Sequence, residues 1–100
     1  MHSKKHSTSC TENIKLLGDF WTLSIIDALR HGELRYCELQ RHLDMVNPVT
    51  LSNRLHLLEE KHILLRSTDP TDKVAVIYSL ASRGKDALKV VDALKAFGKK

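Results

Sequence analysis

The sequence predicts a mainly helical fold with a small antiparallel β hairpin, in the order α-α-β-α-α-β-β-α. Two observations point there. Apolar residues recur at helical spacing through long stretches around 21–29, 51–58 and 87–97. Two short runs, Leu64 to Thr68 and Val74 to Leu80, instead flank a turn of Asp69, Pro70, Thr71 and Asp72. A chain of 100 residues fits one domain.

Residues 1–8 suit a flexible polar tail, and 9–100 the folded domain. Ser9 and Glu12 form an S-x-x-E capping box. The short helix behind them carries Ile14 and Leu17 on one face and stops at Gly18, where a left-handed residue is easiest for glycine. Asp19 caps a second helix with a buried stripe of Trp21, Ile25, Ala28 and Leu29, ended by Gly32. Leu34, Arg35 and Tyr36 suit a short strand. A third helix takes Glu38 to Leu43, with Tyr36, Leu39 and Leu43 inward.

The next segment is the most informative. Asn47-Pro48 is a strong helix start: asparagine accepts free amide hydrogens, and proline at the first position loses no bond. The helix is expected over 48–61, with Leu51, Leu55 and Leu58 on its buried face. Its other face shows Thr50, Ser52, Asn53, Arg54 and His56. In the hairpin that follows, Val76, Tyr78 and Leu80 alternate inward. The last helix, Ser82 to Phe97, presents Ala87, Val91, Leu94 and Phe97 on one side.

Composition narrows the function. The net charge of +4 suits an anionic partner. Cys10 and Cys37 are too few for a disulfide framework, no signal peptide precedes them, and no apolar run approaches the ~18 residues that span a bilayer. A cytoplasmic chain with reduced thiols is expected. There is no glycine-rich phosphate loop and no nucleophile elbow, and six histidines are scattered. An enzyme is not expected, nor a cofactor. His2, His6 and Cys10 are spaced by four and would share a face only on one continuous helix. A helix that starts at Ser9 leaves the histidines outside it, so no metal site is expected.

Two short helices, the second showing small polar and basic side chains, describe a helix-turn-helix, and the hairpin behind them a wing. The partner expected is double-stranded DNA, with the 48–61 helix in the major groove. Thr50, Ser52, Asn53 and Arg54 can hydrogen-bond base edges or phosphates, and Val49 can meet a thymine methyl. Arg35 and the wing residue Lys73 are phosphate candidates, though Arg35 has Glu33 and Glu38 nearby as ion-pair partners. The alternative is a winged helix that binds proteins and not DNA.

Four segments resemble the HxlR family of winged-helix regulators, a branch near the MarR type. They are Cys10 with Ile14-Lys15-Leu16-Leu17-Gly18 and Trp21-Thr22-Leu23, then Gly32 with Leu34-Arg35-Tyr36 and Glu38-Leu39. Leu51-Ser52-Asn53-Arg54-Leu55 with Leu58-Glu59, and Tyr78-Ser79-Leu80 with Gly84, complete the set. The chain departs from the family pattern at Thr11 (usually proline), Phe20 (lysine), Cys37 (serine) and Ala81 (threonine). His62 stands where glycine normally ends the recognition helix, so a histidine has to turn left-handed there. The resemblance implies a homodimer on a roughly palindromic operator, joined through the first and last helices. Here that means Ile14 and Leu17 against Val91, Leu94 and Phe97. Some family members use the cysteine at the position of Cys10 as a redox or electrophile switch, and a helix N-terminus would favour its thiolate. A redox or small-molecule effector would act there.

Overall fold

Asp19 and Asn47, the residues expected to start helices, both do so. The Asp19 carboxylate accepts the Thr22 amide hydrogen at 3.0 Å. Asn47 Oδ1 accepts those of Val49 at 2.8 Å and Thr50 at 3.4 Å. The computed structural model describes residues 2–98, with side chains from Cys10 onward. Its elements are α1 (His2–Leu17), α2 (Phe20–Ala28), β1 (Leu34–Arg35), α3 (Tyr36–His42), α4 (Pro48–Glu60), β2 (Leu64–Thr68), β3 (Val76–Leu80) and α5 (Ser82–Gly98). The order is the one the sequence predicts.

Several local expectations are corrected. The backbone is helical from His2, so Ser9 lies inside α1 and not at its cap. No proline or glycine between His2 and Leu17 interrupts the helix. Gly18 is not left-handed, since Gly32 is the glycine with a positive φ. Glycine is needed at 18 because a Cβ would stand 2.5 Å from the Ile14 carbonyl oxygen. Tyr36 opens α3 instead of ending the strand, and β3 starts at Val76, not Val74.

The helix-turn-helix turn is built without glycine. Asp44 adopts φ 54° and Met45 φ 57°. Met45 N–H donates to Gln40 O at 2.8 Å and Asp44 N–H to Arg41 O at 3.2 Å, which together satisfy the end of α3. The end of α4 repeats this pairing. Ile63 N–H donates to Leu58 O at 2.9 Å and His62 N–H to Glu59 O at 3.0 Å, with His62 left-handed at φ 62°, as its place in the sequence requires.

The sheet order is β1-β3-β2, antiparallel throughout, with Leu34 opposite Tyr78 and Arg66 opposite Tyr78 on the other side. Ile25, Ile26, Leu39, Leu51, Leu55, Leu58, Ile63 and Leu64 form the fully buried centre. Each such side chain contributes about 1.5–3 kcal/mol by leaving water. Trp21 packs at the edge of this core, half-buried. α5 crosses close over the end of α4: the Ala81 amide donates to Ile63 O at 2.9 Å, and a Cβ on Gly84 would sit 2.3 Å from that oxygen. An ion-pair cluster ties α5 to α2 and the turn after it, with Arg30 of that turn on Asp92 at 2.6 Å and Lys95 on Asp27 of α2 at 3.0 Å.

Candidate nucleic-acid interface

α4 buries Leu51, Leu55 and Leu58, leaving Arg54, Leu57 and Glu59 half-buried and a mainly N-terminal face open to solvent. Val49, Ser52, Asn53 and His56 are exposed, and Thr50 is half-buried. Most of the predicted recognition residues therefore lie together on the N-terminal half of one exposed helix face. Ser52 Oγ stands 3.3 Å from the Tyr36 hydroxyl, which also donates to Pro48 O at 3.4 Å. Tyr36 is thus a strut beneath the start of α4. Its inward-facing spacing in the sequence hid that contact.

Arg54 departs from expectation. Its Nε donates to Asp19 Oδ2 at 2.8 Å and its Nη2 to Asp19 Oδ1 at 3.1 Å. The guanidinium is committed to the cap of α2 and does not reach outward. These bonds from Arg54, with those of Thr22, hold the Asp19 carboxyl at about 2 despite partial burial. Arg35 is committed too, but to Asp69 and not to the neighbouring glutamates. Glu38 instead accepts the Arg35 backbone N–H at 2.8 Å. Asp69 also takes the Thr71 amide at 2.9 Å and hydroxyl at 2.8 Å. Thr71 and then Arg35 lower its carboxyl to about 2. Neither aspartate's ion pair was legible, because each arginine partner lies more than thirty residues away along the chain.

The wing tip is open. Lys73 is exposed, Val74 is 90% exposed, and Arg66 is exposed on β2. Arg66 was not among the predicted contacts, since half of an edge strand's side chains face solvent whatever their role.

Away from these residues, α1 and α5 expose Ile14 (65%), Leu94 (51%) and Phe97 (78%). Leu17 is half-buried against the core. Val91 is buried and belongs to the core, which corrects its placement in the outer face; Val90, at 40% exposure, takes that place. A cleft of about 560 Å³ opens here, lined by Cys10, Ile14, Leu17, Leu23, Val90 and Leu94 among others. Cys10 and Cys37 are exposed free thiols. Cys10 lies well inside α1, so the field of a helix N-terminus does not act on it. Among the described residues, no three histidine, cysteine or carboxylate side chains come together to hold a metal, and no helix is long and apolar enough to cross a membrane.

The HxlR-like helix-turn-helix family model matches residues 16–100. The chain is 33% identical over 82 residues to the transcriptional regulator YodB of Bacillus subtilis, covering 82% of this chain and 73% of YodB. It is 29% identical over 83 residues to an HTH-type transcriptional regulator of Methanothermobacter thermautotrophicus, covering 83% of this chain but only 63% of that relative. Among solved structures, a MarR-family regulator from Porphyromonas gingivalis W83 superposes with a TM-score of 0.81 at 27% identity, over 91% of this chain and 89% of that one. Quinone-bound YodB superposes with a TM-score of 0.78 at 27% identity, over 91% and 94%.

Proposed function

Because this chain belongs to the HxlR-like helix-turn-helix family of transcriptional regulators, we propose that it binds a roughly palindromic DNA operator as a homodimer. The observation that carries this is the N-terminal half of α4, which exposes Val49, Ser52 and Asn53 beside half-buried Thr50. These side chains suit base edges in the major groove. Lys73, at the tip of the wing, meets the phosphate backbone. Ile14, Leu17, Leu94 and Phe97 form the dimer seam, and Val91 supports it from the core. The chain works by recognition, without catalysis, in the cytoplasm where its DNA lies. Cys10 lines the apolar cleft beside that seam. A quinone-bound structure exists for the similar YodB. A thiol-reactive quinone or oxidant acting at Cys10 is therefore the effector class proposed here.

Selection of duplexes from a randomised pool, followed by a salt titration, tests the function. Enrichment of a palindrome with half-sites about one helical turn apart is expected, with binding that weakens steeply with salt. Adding diamide should lower that affinity in the natural chain and not in Cys10→Ser. Absence of binding at low salt would replace the DNA reading with a protein-interaction module.

A further inference from the structure

Resting on the DNA-binding reading above, we infer that Arg54 and Asp19 form a positioning pair that sets the angle of the recognition helix, and that Arg54 is not a phosphate contact. One carboxylate collects four donors from two helices. From α2 come the Thr22 amide at 3.0 Å and the Thr22 hydroxyl at 3.1 Å. From α4 come Arg54 Nε at 2.8 Å and Nη2 at 3.1 Å. Thr22 itself is buried at 1% exposure, so this anchor is fixed to the core. The leucines beneath α4 decide which face is buried, but apolar contacts are not directional. A two-point charged hydrogen bond is directional.

A second strut stands on the other flank, where the Tyr36 hydroxyl meets Pro48 O and Ser52 Oγ. Residues 52 and 54 each lie about 100° around the helix from residue 53. Asn53 is exposed between them. The two struts fix the direction in which Asn53 points, which is the geometry that reading a base edge needs.

Asp19→Asn separates this role from direct contact. Asparagine still caps α2, but the ion pair is lost. A phosphate-binding Arg54 would be released by this change, and DNA affinity would hold or rise. A positioning Arg54 predicts a fall of about tenfold. The probe is the duplex enriched by the natural chain, followed by fluorescence anisotropy across a salt series. Arg54→Gln should cost the same tenfold, and the double variant no more. Neither should change the slope of log affinity against log salt. Arg54→Lys should recover little, because an ammonium lacks the planar fork. Thermal melting of each variant confirms that it is folded. Amide exchange of residues 52–58 in the free protein should quicken in all of them. The inference is overturned if Asp19→Asn binds as tightly as the natural chain or tighter. It is also overturned if Arg54→Gln alone lowers the salt slope by about 0.9, the value of one phosphate, or if Arg54→Lys restores affinity. A natural chain that enriches no duplex removes the DNA reading itself, and this inference with it.

Discussion

On the α4–wing half of the molecule, two arginines that a DNA surface would present outward are turned to internal partners, Arg54 to Asp19 and Arg35 to Asp69. On the α1–α5 half, Ile14, Leu94 and Phe97, which a core would bury, stand in solvent. The contrast separates two meanings of exposure. Where charges are spent on geometry, the face of α4 left over is made of small, mainly polar side chains, with Val49 its apolar member, and it can read a sequence. Where apolar side chains are left out, the surface is unfinished, and a 100-residue monomer has little other means of covering it.

The largest effect should come from closing off the apolar half. Leu94→Glu with Phe97→Glu should give a folded species with the mass of one chain by light scattering, where the natural chain gives two. Its affinity for a palindromic duplex should fall by about a hundredfold or more, because two linked half-site contacts become independent. A natural chain that already has the mass of one chain would break the contrast, since its exposed face would then need no partner copy.

Gly84→Ala tests the join between the halves. The added Cβ would meet the Ile63 carbonyl oxygen at 2.3 Å, so α5 must lift from the end of α4. A loss of about 1–3 kcal/mol is expected from overpacking, read from the denaturant midpoint. An unchanged midpoint would mean that α5 moves freely on the wing domain.

The two halves also differ in how much of them the sequence disclosed. Helix α4 was legible to within a residue because Asn47-Pro48 and the Leu51, Leu55, Leu58 stripe are local signals. β2 was legible for the same reason, standing between a helix end and a turn-forming run. The left-handed His62 was expected because the family resemblance puts glycine at its position. The start of α1 was not, because a capping box at Ser9 marks a start only if the preceding residues are not helical. Val91 was misplaced because helical periodicity names a stripe but not which of its members turns under a neighbouring helix. The pairing of Arg54 with Asp19 and Arg35 with Asp69 was invisible, since charges far apart in the chain give no spacing to read. The candidate site was thus legible as a surface and illegible as a mechanism.

Acid should act most on the polar half, where the two lowest carboxyls lie. Asp19 and Asp69 hold their carboxyls at about 2, below the ordinary value of 3.8. Each is therefore more acidic folded than unfolded, and the folded state binds fewer protons. The stability they add is present above about pH 4 and is lost as pH falls toward 2. Thermal melts should show the melting temperature dropping over that window. Asp69→Asn should flatten the decline by removing one contribution, leaving that of Asp19 and those of Asp27 and Asp92, whose carboxyls are lowered as well by their bonds to Lys95 and Arg30. A melting temperature that stays level from pH 4 to pH 2 would mean these pairs do not persist in solution.

The smallest effect should appear at His62, where the recognition helix hands the chain to the wing. Its φ of 62° puts a side-chain-bearing residue where glycine has no steric penalty. Both backbone bonds that close the helix there are independent of the side chain, since they join Ile63 N–H to Leu58 O and His62 N–H to Glu59 O. The imidazole is exposed, so removing it takes away no core contact. His62→Gly should therefore stabilise the fold by about 0.5–1 kcal/mol, the relieved strain being partly offset by the greater freedom of glycine in the unfolded chain. DNA affinity should not change, because the residue lies at the opposite end of α4 from Asn53. If His62→Gly instead weakens DNA binding while raising stability, the imidazole belongs to the binding surface, and the polar half extends past the helix to the base of the wing.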